Sequence, residues 1–269
     1  MAGKIAICFF GIVPRSIRYN YLKIVERIIK PLEDAGYSCD IFKTNLELQK
    51  NIIDGVKIDP SDFNIIRSDF FCSEKQSDVD HLITRISRKI NINYCKNVSK
   101  INNWNSFRCM YSENMVSRLL KGKRGNYDCV IIYSADYYPL NKINLDHVSL
   151  SITNKCVYFS HIHRAGGHTD GFYIGPEDLI IKITGRFNII EELIALKPTS
   201  HENILKFACD KYDIKCELTD FVFCKIRASK LIFLNFAYDV AGWITTMPEV
   251  RMEIEGLCRK YNMTLTKKI

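Results

Sequence analysis

Residues 127–139 read YDCVIIYSADYYP. The apolar run from Cys129 to Tyr133 stops abruptly at Ser134-Ala135-Asp136, and two tyrosines and a proline follow. A run this dense is expected as a strand buried on both faces, the kind found in parallel α/β sheets. Ligands in such sheets lie just beyond the carboxyl ends of the strands. Asp136 therefore stands where a site is expected, with a charge that a core strand does not need. The other reading makes it a turn-forming residue ahead of Tyr-Tyr-Pro.

The rest of the chain supplies partners for such a strand. KIAICFF at 4–10 reads as a first strand, followed by the loop Gly11 to Ser16. Leu22, Val25, Ile29 and Leu32 have helical spacing within 19–35, Gly36 stops that helix, and Tyr37 to Phe42 reads as a second strand. This is a βαβ start without GxGxxG or GxxxxGK[ST], so no dinucleotide fingerprint or P-loop is present. Residues 46–75 read as irregular. A helix is expected with Ser77 as its N-cap and Val79, Leu82, Ile83, Ile86 and Ile90 on one face. Trp104, Phe107, Tyr111, Met115 and Leu119 mark a second helix that leads into the strand at 127–133. Beyond Asp136, residues 145–152 and 156–159 read as short strands, and AGGHTDGFYIG at 165–175 as a glycine-rich segment. Pro176-Glu177-Asp178 and Ser200 open helices, 218–226 reads as a strand, and Pro248 starts a last helix to about Tyr261.

Composition narrows the classes. The chain has 269 residues, 47% hydrophobic and 25% charged, which suits a globular protein with a sizeable core. No apolar run approaches the ~20 residues of a membrane span. The N-terminal apolar run is short and lacks a small-residue cleavage site, so a buried strand is expected there rather than a signal peptide. The eleven cysteines are scattered without CxxC or finger spacing, and are expected as reduced thiols in the cytoplasm. The net charge of +8 is dispersed. Its densest cluster, Lys121-Gly122-Lys123-Arg124, falls at a helix end, where cations complement the dipole. Nucleic-acid binding is not expected. One domain is expected over 1–269.

Several side chains are candidates for chemistry. Gly11 permits close backbone approach after strand one, and Arg15 suits a phosphate or plain solvent. Thr44 and Asn45, after strand two, are placed to contact base or ribose. Arg108 follows Trp104 by one helical turn and calls for an anion, while Trp104 itself suits the core better than a stacking platform. Asp170 is a candidate general base or a glycine-flanked turn, and His168 is a competing base by its intrinsic pKa. His161 and His163 share one side of an extended stretch, but no third metal ligand is evident.

The order of these segments resembles GT-A-type glycosyltransferases, in particular the small soluble glycosyltransferase-like proteins of large DNA viruses and some bacteria. The likeness is carried by KIAICFFGIVPRS, WNSFRCMYSENM with YDCVIIYSADYYP, and GGHTDGFYIG, within residues 4–175. It implies a GT-A-like mixed, mostly parallel sheet flanked by helices, with a nucleotide-binding half at 1–133 and an acceptor-side half at 134–269. It implies transfer of a hexosyl or pentosyl unit from a UDP- or GDP-sugar to a glycan or other hydroxyl. Asp136 matches the last acid of the family's Asp-x-Asp motif, and Ser134 replaces the first. Mn²⁺ or Mg²⁺ on Asp136 is implied, though serine is a poor ligand. Asp170 is implied as the base. That substitution at Ser134 motivates an alternative, a non-catalytic nucleotide-sugar or glycan-binding protein on the same fold. A sulfo- or methyltransferase fits less well without a phosphate cradle after strand one.

Overall fold

The first strand, β1 (Lys4–Phe10), is apolar from Ile5 to Phe10 and so needs cover on two faces. It has them in the computed structural model, which describes residues 3–89, 100–123, 125–162, 164–233 and 247–266. Ile5, Ile7 and Phe9 enter one core cluster, and Ala6, Cys8 and Phe10 enter another, following the two-residue period of a strand. The chain returns through α1 (Ile17–Ile24), a five-residue π turn (Val25–Ile29) and α2 (Lys30–Asp34) to β2 (Ser38–Glu47), parallel to β1. A hairpin of β3 (Ile52–Ile53) and β4 (Val56–Lys57) precedes β5 (Phe70–Lys75), which extends the sheet parallel to β2. Helices α3 (Gln76–Lys89) and α4 (Lys100–Lys121) lead to β6 (Cys129–Ser134), which pairs parallel with the other edge of β1.

The second half adds β7 (Tyr137–Pro139), α5 (Leu145–Asn154), β8 (Val157–Ser160), β9 (Phe172–Gly175), α6 (Glu177–Thr184) and α7 (Ile190–Ala195). It continues with α8 (His201–Lys211), β10 (Cys216–Thr219), β11 (Phe223–Ile226), β12 (Leu231–Phe233), α9 (Pro248–Tyr261) and β13 (Thr264–Thr266). The seven-stranded main sheet runs β10-β8-β9-β6-β1-β2-β5, and a four-stranded sheet runs β13-β12-β11-β7. In the main sheet only β9 is antiparallel to its neighbours. Residues of α1, α2, α5 and α9 cover one face, and residues of α4, α6 and α8 cover the other. The expected class, a mixed and mostly parallel α/β sheet flanked by helices, is the observed one. None of the described helices is long and apolar enough to cross a membrane.

Several local expectations are corrected. Residues 145–152 lie in a helix, not a strand. The Asn144 side chain caps it by accepting from the Asp146 amide at 3.0 Å, and Lys155 ends it with a left-handed φ of 45°. The expected strand over 218–226 is two strands in different sheets, β10 and β11. The second strand extends to Glu47, so Thr44 and Asn45 are ladder residues rather than loop residues. Residues 46–75 are not all irregular, since β5 lies within them. Helix α3 begins at Gln76, placing Ser77 inside it, with Val79 and Ile83 as its buried residues. In the first helix Leu22 is 74% exposed, and the buried set is Ile17, Ile24, Ile28 and Leu32. The wide π turn changes the helical phase and moves the inward face off Leu22. The ten described cysteines are free thiols. Ile90, Cys95, Arg124 and His163 lie outside the described residues.

Candidate functional site

The carboxyl ends of β1 and β6 open into a cavity of about 610 Å³, lined by Gly11, Arg15, Ser134, Asp136, Asp170 and Arg108 among others. The backbone explains why these residues meet. Ala135 donates its amide to the Phe10 carbonyl at 3.2 Å, and Ser134 donates to the Gly171 carbonyl at 2.8 Å. The buried Asn20 side chain of α1 donates to the Ala135 carbonyl at 3.0 Å. Residues 135–136 are the bridge on which the chain leaves the main sheet, because β7 begins at Tyr137 and pairs with β11 in the small sheet. Asp136 therefore sits at the seam of the two sheets.

Its surroundings are cationic. Arg15 and Arg227 each place an Nη1 3.2 Å from Asp136 Oδ2, one from the loop after β1 and one from just beyond β11. Ser134 donates its hydroxyl to Oδ1 at 2.7 Å. Lys225 lines the same cavity, its ammonium 5.0 Å from the Tyr137 ring centroid. Burial raises the Asp136 pKa, but Arg227, Arg15, Lys225 and the Ser134 hydrogen bond together outweigh it. The carboxyl is held below its ordinary value, and Asp136 is a carboxylate. The buried Nε of Arg15 has no hydrogen-bond partner. A guanidinium with a donor to spare, beside another arginine and a lysine, favours an anion of more than one charge.

The acidic side of the cavity is built differently. Asp170 precedes β9, and the reversed direction of that strand brings it to the mouth. His201 Nδ1 lies 3.0 Å from Asp170 Oδ2, and Arg186 Nη2 lies 3.3 Å from His201 Nε2. An arginine can only donate, so Nε2 accepts and Nδ1–H donates to Asp170. Arg186 is wholly buried and binds Glu113 through two bonds of 2.7 and 2.6 Å. The Tyr173 hydroxyl also donates to Glu113. A fully buried ion pair thus fixes the imidazole, and the imidazole fixes the Asp170 carboxylate. Burial, with the Asp170 charge adding to it, raises the Glu202 carboxyl above its ordinary value.

Other sequence-predicted residues have structural partners. Thr44 is buried and donates to the Ser112 carbonyl at 3.0 Å. Asn45 accepts from the Val13 amide at 3.0 Å and so pins the loop that carries Arg15. Neither lines the cavity. Arg108 does line it, but its guanidinium makes two bonds to Asp80, at 2.7 and 2.8 Å, and one to Asn105 at 2.9 Å. Trp104 packs against a core cluster, as the core reading expects. His168 is 8% exposed, stacks on Phe159 with centroids 4.3 Å apart, and lies away from the cavity lining. It is not placed to act as a base there. His161 Nδ1 lies 3.1 Å from the Thr219 carbonyl.

A divalent cation on Asp136 does not fit this arrangement. Both carboxylate oxygens are engaged, and three cationic side chains repel a further positive charge. Among the described residues, no close group of three metal-ligating side chains includes Asp136. Cys109, Asp170 and His201 are close enough to share an ion. Yet the ring proton of His201 faces Asp170, and the Cys109 thiol also donates to Asp170 Oδ2 at 3.7 Å. That trio is a hydrogen-bonded relay rather than a ligand set.

No known family profile matches the sequence, and no curated protein is similar to it. Among solved structures, the chain is similar to the crystal structure of mouse xyloside xylosyltransferase 1 in its apo form. The TM-score is 0.44 and the identity 6%, over 80% of this chain and 84% of that one. A likeness at that score carries no argument about activity, which rests on the site itself.

Sequence reasoning missed Lys225, Arg227, His201, Glu202 and the Glu113–Arg186 pair. One signal was readable: Lys225 and Arg227 are two residues apart at a strand end and so share a face. The Glu113–Arg186 pair spans 73 positions and left no local mark.

Proposed function

We propose that the cavity binds a nucleotide-sugar, a UDP- or GDP-sugar, and that the protein transfers the glycosyl unit to a glycan or other acceptor hydroxyl. The observation that carries this reading is the cluster of Arg15, Lys225 and Arg227 around one carboxylate at the strand ends. Two arginines against the single carboxylate of Asp136 leave excess positive charge there, which suits a diphosphate. The apolar residues Leu46, Leu48, Ile52 and Ile53 line the cavity after β2 and suit the nucleoside. Asp170 and Glu202, on the β9 side, suit the sugar and the acceptor. In the transfer, the acceptor oxygen bonds to the anomeric carbon, the bond from that carbon to the phosphate oxygen breaks, and Asp170 takes the hydroxyl proton. The leaving diphosphate is stabilised by the fixed cations, the electrostatic part of the rate enhancement. Asp136 holds the two arginines in register. Donor binding on this reading needs no divalent ion.

The test is a panel of UDP- and GDP-sugars examined by thermal shift and calorimetry, with Mn²⁺ and with EDTA, followed by release of nucleoside diphosphate. One donor is expected to raise the melting temperature equally in Mn²⁺ and EDTA. Arg227→Ala should lose that shift. Asp170→Asn should keep it while turnover falls by roughly 10²–10⁴-fold. Failure of every nucleotide-sugar to bind overturns the proposal, and binding without turnover in the unmodified protein favours the non-catalytic alternative.

A further inference from the structure

A second polar cluster lies behind the loop that carries Asp170. An imidazole nitrogen of His168, Cys209 Sγ and Cys216 Sγ lie within 4.8 Å of one another. None of the three lines the cavity. His168 is 8% exposed, and its Nδ1 is buried without a hydrogen-bond partner. A buried ring nitrogen without a partner is costly unless something binds the cluster and reorganises it. Its position is enforced by packing. The His168 amide donates to the Glu202 carbonyl at 3.0 Å, and Phe159 stacks on the ring at 4.3 Å. A Cβ on Gly167 would come within 2.0 Å of the Glu202 carbonyl oxygen, so only glycine lets the loop lie this close to α8. Cys209 comes from α8 and Cys216 from the edge strand β10, so three separate segments converge here.

We propose that His168, Cys209 and Cys216 form a binding site for a thiophilic, nitrogen-tolerant metal ion, of which Zn²⁺ is the best match. Two sulfurs and one imidazole are the donors such an ion prefers, and the hard ions Mg²⁺ and Mn²⁺ do not favour them. Cys216 is half-buried, which leaves a side open to solvent for ion entry and for a water as fourth ligand. Each thiol that binds gives its proton to solvent, so uptake acidifies the medium. The ion would staple residues 164–171 to α8 and β10 and thereby fix the loop on which Asp170 stands. The inference does not depend on the glycosyl-transfer reading.

Co²⁺ and Zn²⁺ added to the reduced, metal-free full-length protein test it. One equivalent of Co²⁺ should give the near-ultraviolet thiolate charge-transfer band and the intense visible bands of a tetrahedral site. Zn²⁺ should then abolish both bands and raise the melting temperature. Cys216→Ser at the sheet edge should lose half or more of the thiolate band, and His168→Gln should lose the tetrahedral visible bands. Cys109→Ala should keep all of them, which separates this cluster from the Asp170–His201 relay. Three results would overturn the proposal: no thiolate band in the unmodified protein, an undiminished band in Cys216→Ser, or a Cys209–Cys216 disulfide found by mass in freshly prepared protein.

Discussion

Asp136 is the residue on which the site turns, and its charge has a thermodynamic consequence. Its folded-state carboxyl titrates below the ordinary 3.8 because two arginines, a lysine and Ser134 outweigh its burial. A carboxyl depressed by folding contributes stability that is present above the unfolded value and lost as pH falls through the folded one. The unmodified protein is therefore expected to lose stability as the pH drops below the ordinary value. Asp136→Asn should be less stable at neutral pH and should show a shallower acid limb. Urea unfolding between about pH 6 and pH 3 measures both curves. Equal acid limbs would mean that the arginines do not hold this carboxylate. The same clamp explains why a sequence with one acid in place of two need not be a weakened metal site. Ser134 serves as a donor to Asp136, a role that a second carboxylate could not fill while both were ionised.

At the scale of elements, a glycine fixes where the loop that carries Asp170 can lie. Gly167→Ala drives a Cβ to 2.0 Å from a backbone oxygen of α8, which has no flexible tip to give way. A loss of about 1–3 kcal/mol is expected from such overpacking, together with loss of turnover, since the displaced loop carries Asp170. Gly256→Ala lies inside α9 with nothing within 4 Å of the added Cβ. It should stabilise by about 0.5–1 kcal/mol through helix propensity. Thermal melts of the pair give the contrast. The elements legible in the sequence were those whose burial is local: β1 and β6 from continuous apolar runs, α6 and α8 from their start signals. Helix α5 was misread because Val148, Leu150 and Ile152 alternate, while the deciding groups, the Asn144 cap and the left-handed Lys155, flank the pattern. Arg15 and Asp136 were legible as residues of the strand-end cavity because they follow strands. Thr44 and Asn45 were misplaced in a loop beside the site, because the length of β2 depends on β5, which the sequence hides.

At the scale of the whole molecule, the chain passes from the main sheet to the small one at residues 135–136, returns through α5 to β8, and leaves again between β10 and β11. Neither sheet is made from one continuous stretch. We infer that the two unfold together. Tryptophan fluorescence and far-ultraviolet circular dichroism should give superimposable denaturant curves, and two separated transitions would count against a single unit. The reversed strand β9 has a further effect. Elsewhere the main sheet is parallel, and a parallel connection must span the sheet with a crossover of fixed handedness. The β8–β9 connection is a local return, free of that constraint. Its length can grow at small entropic cost, since each doubling of a loop costs only about 0.6 kcal/mol. Insertion at this one turn would thus reshape the cavity wall at Asp170 and Gly171 while the seven strands beneath it stay in register.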